Sequence, residues 1–293
     1  MCATCGCSAD AVIRWPGGHD HGDHGTGSGH DHPVAGHRHA ADGTHDHGAH
    51  GDGHQHVAAD DDGRTVELQQ KVLAKNDSLA AANRDWLARR GVLALNLMSS
   101  PGAGKTTLLE RAGEDLAGAL AVCVIEGDQE TALDAGRIES AGCRVVQVNT
   151  GAGCHLDAAM VSSALRVLDP PGGSVAVIEN VGNLVCPALF DLGEAARVVL
   201  ASVTEGADKP VKYPHVFRSA DLVLLTKTDL LPYVDFDVAA WEADVGRVSP
   251  GARIIRVSAK TGEGMAEWYA WLRGQLSVLS APSADPERVR NLR

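Results

Sequence analysis

From about residue 92 onward the chain alternates short apolar runs with longer polar segments. VLALNLMS comes first, followed by AVCVIE, RVVQVN, SVAVIE, RVVLASV, DLVLLT and ARIIRVS. Each run is continuously apolar rather than alternating, as expected of strands buried on both faces. Most of the segments between them are alanine-rich and long enough for a helix. This pattern predicts an α/β fold, a mostly parallel sheet flanked by helices on both faces. Ligands in such folds bind at the carboxyl ends of the strands. Ahead of the first strand, residues 64–90 predict a helix. Val66, Val72, Leu73, Leu79, Trp86 and Leu87 give it a packing face, and Gly91 stops it after two arginines. A second helix is expected from about Leu156 to Leu168, opened by Cys154 and His155.

Composition divides the chain further. Residues 1–7 hold three of the seven cysteines, and residues 19–56 hold 12 of the 14 histidines among Gly, Asp and Ala. We therefore expect a Cys metal-binding motif at 1–7, a disordered His-rich metal-binding tail at 8–63, a folded domain at 64–280 and a flexible C-terminal tail at 281–293. The net charge of -12 argues against nucleic acid or an anionic membrane surface as partner. No apolar run approaches the roughly 20 residues needed to span a bilayer. MCATCGCSAD lacks the basic and apolar regions of a secretion signal. A reducing cytoplasm is the expected compartment, where cysteines serve as thiols or metal ligands.

The motifs fall at strand ends. SSPGAGKTT, Ser99 to Thr107, joins the first strand to a helix starting near Lys105. Its glycines let the backbone of Gly102, Ala103 and Gly104 wrap phosphate, and the helix N-terminus with Lys105, Thr106 and Thr107 supplies positive partial charge. Lys105 reaches the β- and γ-phosphates in such loops, and the Thr106 hydroxyl holds Mg²⁺. Ser99 stands where the usual P-loop pattern has its first glycine. In TKTD, Thr226, Lys227 and Asp229 read guanine, because one carboxylate accepts from both the N1 and N2 donors while adenine offers no such pair. In VSAK, Ser258, Ala259 and Lys260 bring a backbone amide toward guanine O6. Together these favour GTP over ATP. Glu179 ends its strand ahead of NVG, where an acid orders Mg²⁺ and Gly182 senses the γ-phosphate. Asp128, in EGDQ, is a second acid aimed at the same place, and three roles stay open for it: a ligand of Mg²⁺, a director of the attacking water, or a helix cap. The candidate catalytic residues are thus Lys105, Asp128 and Glu179, and the candidate Mg²⁺ ligands are Thr106, Asp128 and Glu179.

SSPGAGKTTLLE, EGDQETALDAGRI, NTGAGCHLDA, ENVGNLVCPA, TKTDLLPY and VSAKTGEGM, in this order, resemble the hydrogenase nickel incorporation GTPases of the HypB family, SIMIBI-class P-loop G proteins. The resemblance implies hydrolysis of GTP to GDP and phosphate, and a GTP-promoted homodimer. It further implies delivery of Ni²⁺ to the hydrogenase large-subunit precursor, beside a HypA-type zinc protein. Cys2, Cys5 and Cys7 form C-x-x-C-G-C. Removal of Met1 would add the Cys2 amine as a fourth donor, an N and S set suited to square-planar Ni²⁺ and similar to the family's tight N-terminal site. His19, His21, His24, His30, His32, His37, His39, His45, His47, His50, His54 and His56 form a low-complexity tract suited to weak nickel buffering or simply to a hydrophilic spacer. Cys154, His155 and Cys186 make a candidate Ni²⁺ or Zn²⁺ site too small to close a structural zinc site alone. Two copies meeting across a dimer would complete it, as the family implies. A Cys-His catalytic dyad and inert packing are the alternatives for that pair. Cys123 and Cys143 read as small buried apolar residues. Three rival functions share some of these features: a passive nickel or zinc store, a urease nickel GTPase, and a small-molecule kinase.

Overall fold

The computed structural model describes residues 12–14, 61–128 and 133–280. Contacts divide the chain into two units, residues 1–18 with 70–293, and residues 19–69. Cys2, Cys5, Cys7, the histidines of residues 19–56 and the C-terminal segment 281–293 lie outside the described residues.

Every predicted strand forms. The sheet comprises β2 (Leu93–Ser99), β3 (Val122–Asp128), β4 (Arg144–Asn149), β5 (Val175–Glu179), β6 (Ala196–Ser202), β7 (Leu222–Thr226) and β8 (Arg253–Arg256), all parallel where paired with one another. One more strand was not expected. β1 (Val12–Arg14) pairs antiparallel with β4, Val12 facing Asn149, although these residues fall within the segment expected to be a tail. The order across the sheet is β1-β4-β3-β5-β2-β6-β7-β8. β2 is therefore central, and the chain leaves it toward one side before returning to the other. The crevice at its carboxyl end, between β5 and β6, is the switch point where doubly wound sheets hold ligands.

Helices cover both faces. α1 (Asp61–Arg90), α2 (Lys105–Leu116), α3 (Leu133–Ser140) and α4 (Ala158–Leu168) surround the first half of the sheet. α5 (Lys209–Lys212), α6 (Pro214–Arg218), α7 (Val238–Val248) and α8 (Met265–Ser280) surround the second. Leu108, Leu109, Trp268 and Leu272 pack one face of the central strands, while Leu87, Val161, Leu165 and Leu168 pack the other over β3, β4 and β5. Among the described residues no helix is long and apolar enough to cross a membrane.

α1 starts three residues earlier than expected, and its packing line differs. Val72 is 46% exposed, while Asn76, Ala80, Asn83 and Leu87 are buried. Their spacing of four, three and four residues traces one face of a 3.6-residue helix. Two of the four are asparagines, so a count of apolar residues alone shifts the face. α4 also begins later than expected. Asp157 caps it, Oδ1 accepting from Met160 N at 2.8 Å. Cys154 and His155 therefore lie in the loop before the cap.

Candidate functional site

The loop after β2 turns at Gly102 (φ +76°) and Gly104 (φ +99°), left-handed conformations that glycine adopts without strain. Ser99 is more than a tolerated replacement for glycine. Its hydroxyl accepts from Lys105 Nζ at 2.9 Å and donates to Ser100 O at 2.6 Å, so it parks the lysine over the loop. The Thr106 hydroxyl donates to Glu179 Oε1 at 3.0 Å, linking the start of α2 to the end of β5. Glu179 Oε2 is buried without a partner. Burial pushes the Glu179 carboxyl up to about 7, with Lys105 and the Thr106 hydroxyl pulling the other way. Burial lowers Lys105, against the opposing pull of Glu179.

Glu126, which the motif reading passed over, stands beside these groups. It faces Glu179 in the β3–β5 register, is 3% exposed, and leaves Oε2 without a partner. Burial pushes it up to about 9, aided by the negative charges of Glu179 and Asp128. Its signal was an acid inside the apolar run VCVIEGD. The two-residue period of a strand puts Glu126 and Asp128 on one face. Asp128 itself is half-buried at the end of β3. Buried, orphaned carboxylate oxygens beside a threonine hydroxyl form an all-oxygen donor set, which suits a hard cation such as Mg²⁺.

The loops assigned to the base arrive on the other side. Thr226 is buried and directs its hydroxyl to Ala103 O at 2.7 Å and Ala201 O at 3.3 Å, so it braces the phosphate loop. Lys227, left-handed at φ +58°, donates Nζ to Gly102 O at 2.6 Å and lies across the same loop. Ser258 Oγ donates to Asp229 Oδ1 at 2.7 Å, which orients that carboxylate from the loop after β8. Ala259 and Lys260 line a cleft of about 650 Å³ with Thr107 and Arg137. Lys209 reaches its own phosphate loop, Nζ donating to Ser100 Oγ at 3.3 Å.

Gly182 lies directly on the phosphate loop. A Cβ there would sit 3.0 Å from Pro101 Cα. The chain runs from Gly182 to Cys186, the first residue of a 3₁₀ turn (Cys186–Leu189). The sulfurs of Cys154 and Cys186 and a ring nitrogen of His155 all lie within 4.8 Å of one another. Cys154 Sγ and His155 Nδ1 are 3.7 Å apart. His155 is buried and stacks on Phe190 at 4.0 Å and 21°. Burial lowers its pKa, opposed by Asp157, which favours the neutral imidazole that a metal ligand requires. Cys123 and Cys143 are buried in the core, as expected.

Asn180 joins the two halves of the site. Its Oδ1 accepts from Leu156 N at 3.1 Å and Val181 N at 3.0 Å, and its Nδ2 donates to Asn96 Oδ1 at 3.2 Å. Asn183 Nδ2 donates to Cys154 O at 3.5 Å. Leu156 also seats on Gly127, where a Cβ would meet its side chain at 2.8 Å. The segment bearing Cys154 and His155 is thus held by the segment that leads from Glu179 to Cys186.

Residues 93–256 match the CobW/HypB/UreG nucleotide-binding domain. The chain is 54% identical over 217 residues to the hydrogenase maturation factor HypB of Rhizobium leguminosarum, covering 74% of this chain and 73% of that protein. Against HypB of Cupriavidus necator the identity is 40%, over 99% of this chain and 93% of the relative. Among solved structures, HypB from Helicobacter pylori in complex with nickel matches at a TM-score of 0.67 and 36% identity, over 72% of this chain and 99% of that one. HypB from Archaeoglobus fulgidus matches at 0.66 and 42%, over 70% and 100%. With residues 93–256 matched by that domain, and with relatives at 54% and 40% identity covered over 73% and 93% of their own length, the chain belongs to the HypB family of hydrogenase maturation factors.

Proposed function

We propose that this chain is a GTP-hydrolysing nickel metallochaperone that inserts Ni²⁺ into the precursor of a [NiFe]-hydrogenase, with nickel affinity and dimerisation coupled to the bound nucleotide. The observation that carries the reading is the cluster of Cys154, His155 and Cys186, set one short segment beyond Gly182.

In this reading the amides of Gly102, Ala103 and Gly104 and the ammonium of Lys105 bind the phosphates, and Asp229 accepts from guanine. Thr106, Glu179 and Asp128 would hold Mg²⁺, which would neutralise phosphate charge. Gly182 meets the γ-phosphate, and the ordered segment fixes Cys186 against Cys154 and His155. Hydrolysis relaxes the segment and changes nickel affinity, a population shift driven by contacts only the γ-phosphate makes. Two copies would complete the metal's ligand set across a GTP-promoted homodimer. Cys2, Cys5 and Cys7 form a second, tight nickel site, the histidine tract buffers nickel, and a HypA-type zinc protein works beside the chain in the cytoplasm. Zn²⁺ is the competing metal at the Cys154 site.

A urease target is the second reading, favoured by one relative. The Helicobacter pylori protein, 38% identical over 213 residues, is a hydrogenase/urease maturation factor HypB. Incubating the loaded protein with each apoenzyme precursor separates the two.

The coupling is tested in a full-length variant with Cys2, Cys5 and Cys7 replaced by Ser. Nickel is titrated in the presence of GDP or a non-hydrolysable GTP analogue, with dimerisation followed by sedimentation. Affinity and dimerisation should both differ between the two states. Equal values for both measurements reject the coupling.

A further inference from the structure

α1 touches neither the phosphate loop nor any of the three metal-ligating side chains in the hydrogen bonds described above, yet among its described side chains two of the four buried ones are amides. Both amides are spent on the same pair of segments. Asn76 Oδ1 accepts from Ala158 N at 2.9 Å, while its Nδ2 donates to Asp191 O at 2.8 Å. Asn83 Nδ2 donates both to Ala158 O at 2.8 Å and to Leu192 O at 3.1 Å. Arg84 Nη2 adds contacts to both carboxylate oxygens of Asp191, at 2.7 and 2.8 Å. Ala158 lies three residues after His155, and Asp191 and Leu192 lie five and six residues after Cys186. Each asparagine is therefore a rung between the segment that carries Cys154 and His155 and the segment that carries Cys186.

The approach is close enough to specify its own glycine. At Gly193 (φ +90°) a Cβ would lie 2.6 Å from Ala80 O and 2.7 Å from Asn83 Cβ. No side chain fits, so the second segment can press directly on the helix backbone. Phe190, between Cys186 and Asp191, is the residue on which the His155 ring stacks. The rungs thus bind the chain directly after Phe190, at Asp191 and Leu192. A buried amide that bonds two separate backbones fixes their spacing, because either half left unpaired would cost the full desolvation of the group.

We infer that Asn76 and Asn83 of α1 are positioning residues for the metal site, setting the separation of Cys154 and His155 from Cys186 and through it the affinity for nickel. The inference rests on the reading that these three residues take the metal.

The test uses the full chain with Cys2, Cys5 and Cys7 replaced by Ser. Nickel(II) chloride alone is titrated while the thiolate-to-nickel charge-transfer absorbance is followed. Histidines give no such band and present the same competing load in every variant. Asn83→Ala and Asn76→Ala should each move the titration midpoint to about tenfold higher nickel, the lower end of what outer partners of metal ligands contribute. GDP affinity should stay unchanged. Leu87→Ala is the control for a purely structural role, because it empties the same buried line of α1 without touching a rung. It should lower thermal stability and leave the midpoint where it was. If Leu87→Ala moves the midpoint as far as the asparagine variants do, or if Asn83→Ala and Asn76→Ala leave it in place, the positioning role is overturned. A parent protein whose band survives replacement of both Cys154 and Cys186 by Ser instead overturns the metal reading, and the positioning role with it.

Discussion

At the scale of single residues, Glu126 has the largest consequence for the electrostatics of the phosphate-loop site. Its folded value of about 9 lies far above the ordinary 4.5. The unfolded chain releases this proton near pH 4.5 while the fold keeps it, so between those values the native state binds more protons than the unfolded one. Stability then falls as pH rises, by about 1.4 kcal/mol per pH unit for one proton. Glu179 acts in the same direction but only up to about pH 7. Replacing Glu126 by Gln should remove its own contribution, which is the one that remains above about pH 7. With chelator present and no nucleotide, urea unfolding between pH 7 and 8.5 should show a slope shallower than the parent's by about 1.4 kcal/mol per pH unit. Parallel slopes would mean that Glu126 is already ionised in the fold. The phosphate-loop residues were legible because their types are dictated by phosphate chemistry. Glu126 was not, because EGD draws the eye to its aspartate, and only the strand's register sets the glutamate against Glu179.

At the scale of elements, the seven parallel strands were legible and the face of α1 was not, for one physical reason. Strands buried on both sides must be apolar throughout, so each appears as an uninterrupted run. A helix that clasps backbone loops needs amides where packing would need hydrocarbon, so Asn76 and Asn83 do not stand out in the apolar pattern. β1 was missed because three residues paired with an edge strand leave no period to detect. The start of α4 was misread for want of its cap. Asp157 reads as a cap only once Met160 N is known to bond it. The dependence of α1 on a bare backbone at Gly193 gives a direct expectation. Gly193→Ala must relieve contacts of 2.6 and 2.7 Å while holding φ near +90°. Left-handed strain together with forced separation should cost on the order of 3 kcal/mol, read as a shift of the urea midpoint. An unchanged midpoint would show that the loop and α1 can part freely, and would also weaken the case for the rungs.

For the whole molecule, the proposed nucleotide and nickel sites share one segment, residues 179–186, and one buried amide, Asn180. Coupling between two ligands is a free energy that works equally in both directions. If the γ-phosphate changes nickel affinity by some factor, nickel must change the preference for GTP over GDP by the same factor. Asn180 is where that factor should be lost. It neither lies in the phosphate loop nor belongs to the three-ligand cluster, yet it holds Leu156 to Val181 and anchors both to Asn96. Replacing it with Ala leaves buried polar groups unpaired, at about 1–3 kcal/mol each, so the variant should be less stable but still folded around its apolar sheet. In the variant lacking the N-terminal cysteines, Asn180→Ala should still bind GDP and still show the thiolate band with nickel. The ratio of nickel affinities between the GTP-analogue and GDP states should collapse toward one, from the roughly 5–150-fold typical of coupled sites. A ratio that survives the substitution would route the coupling around Asn180, through Asn183 and Cys154 or across the dimer.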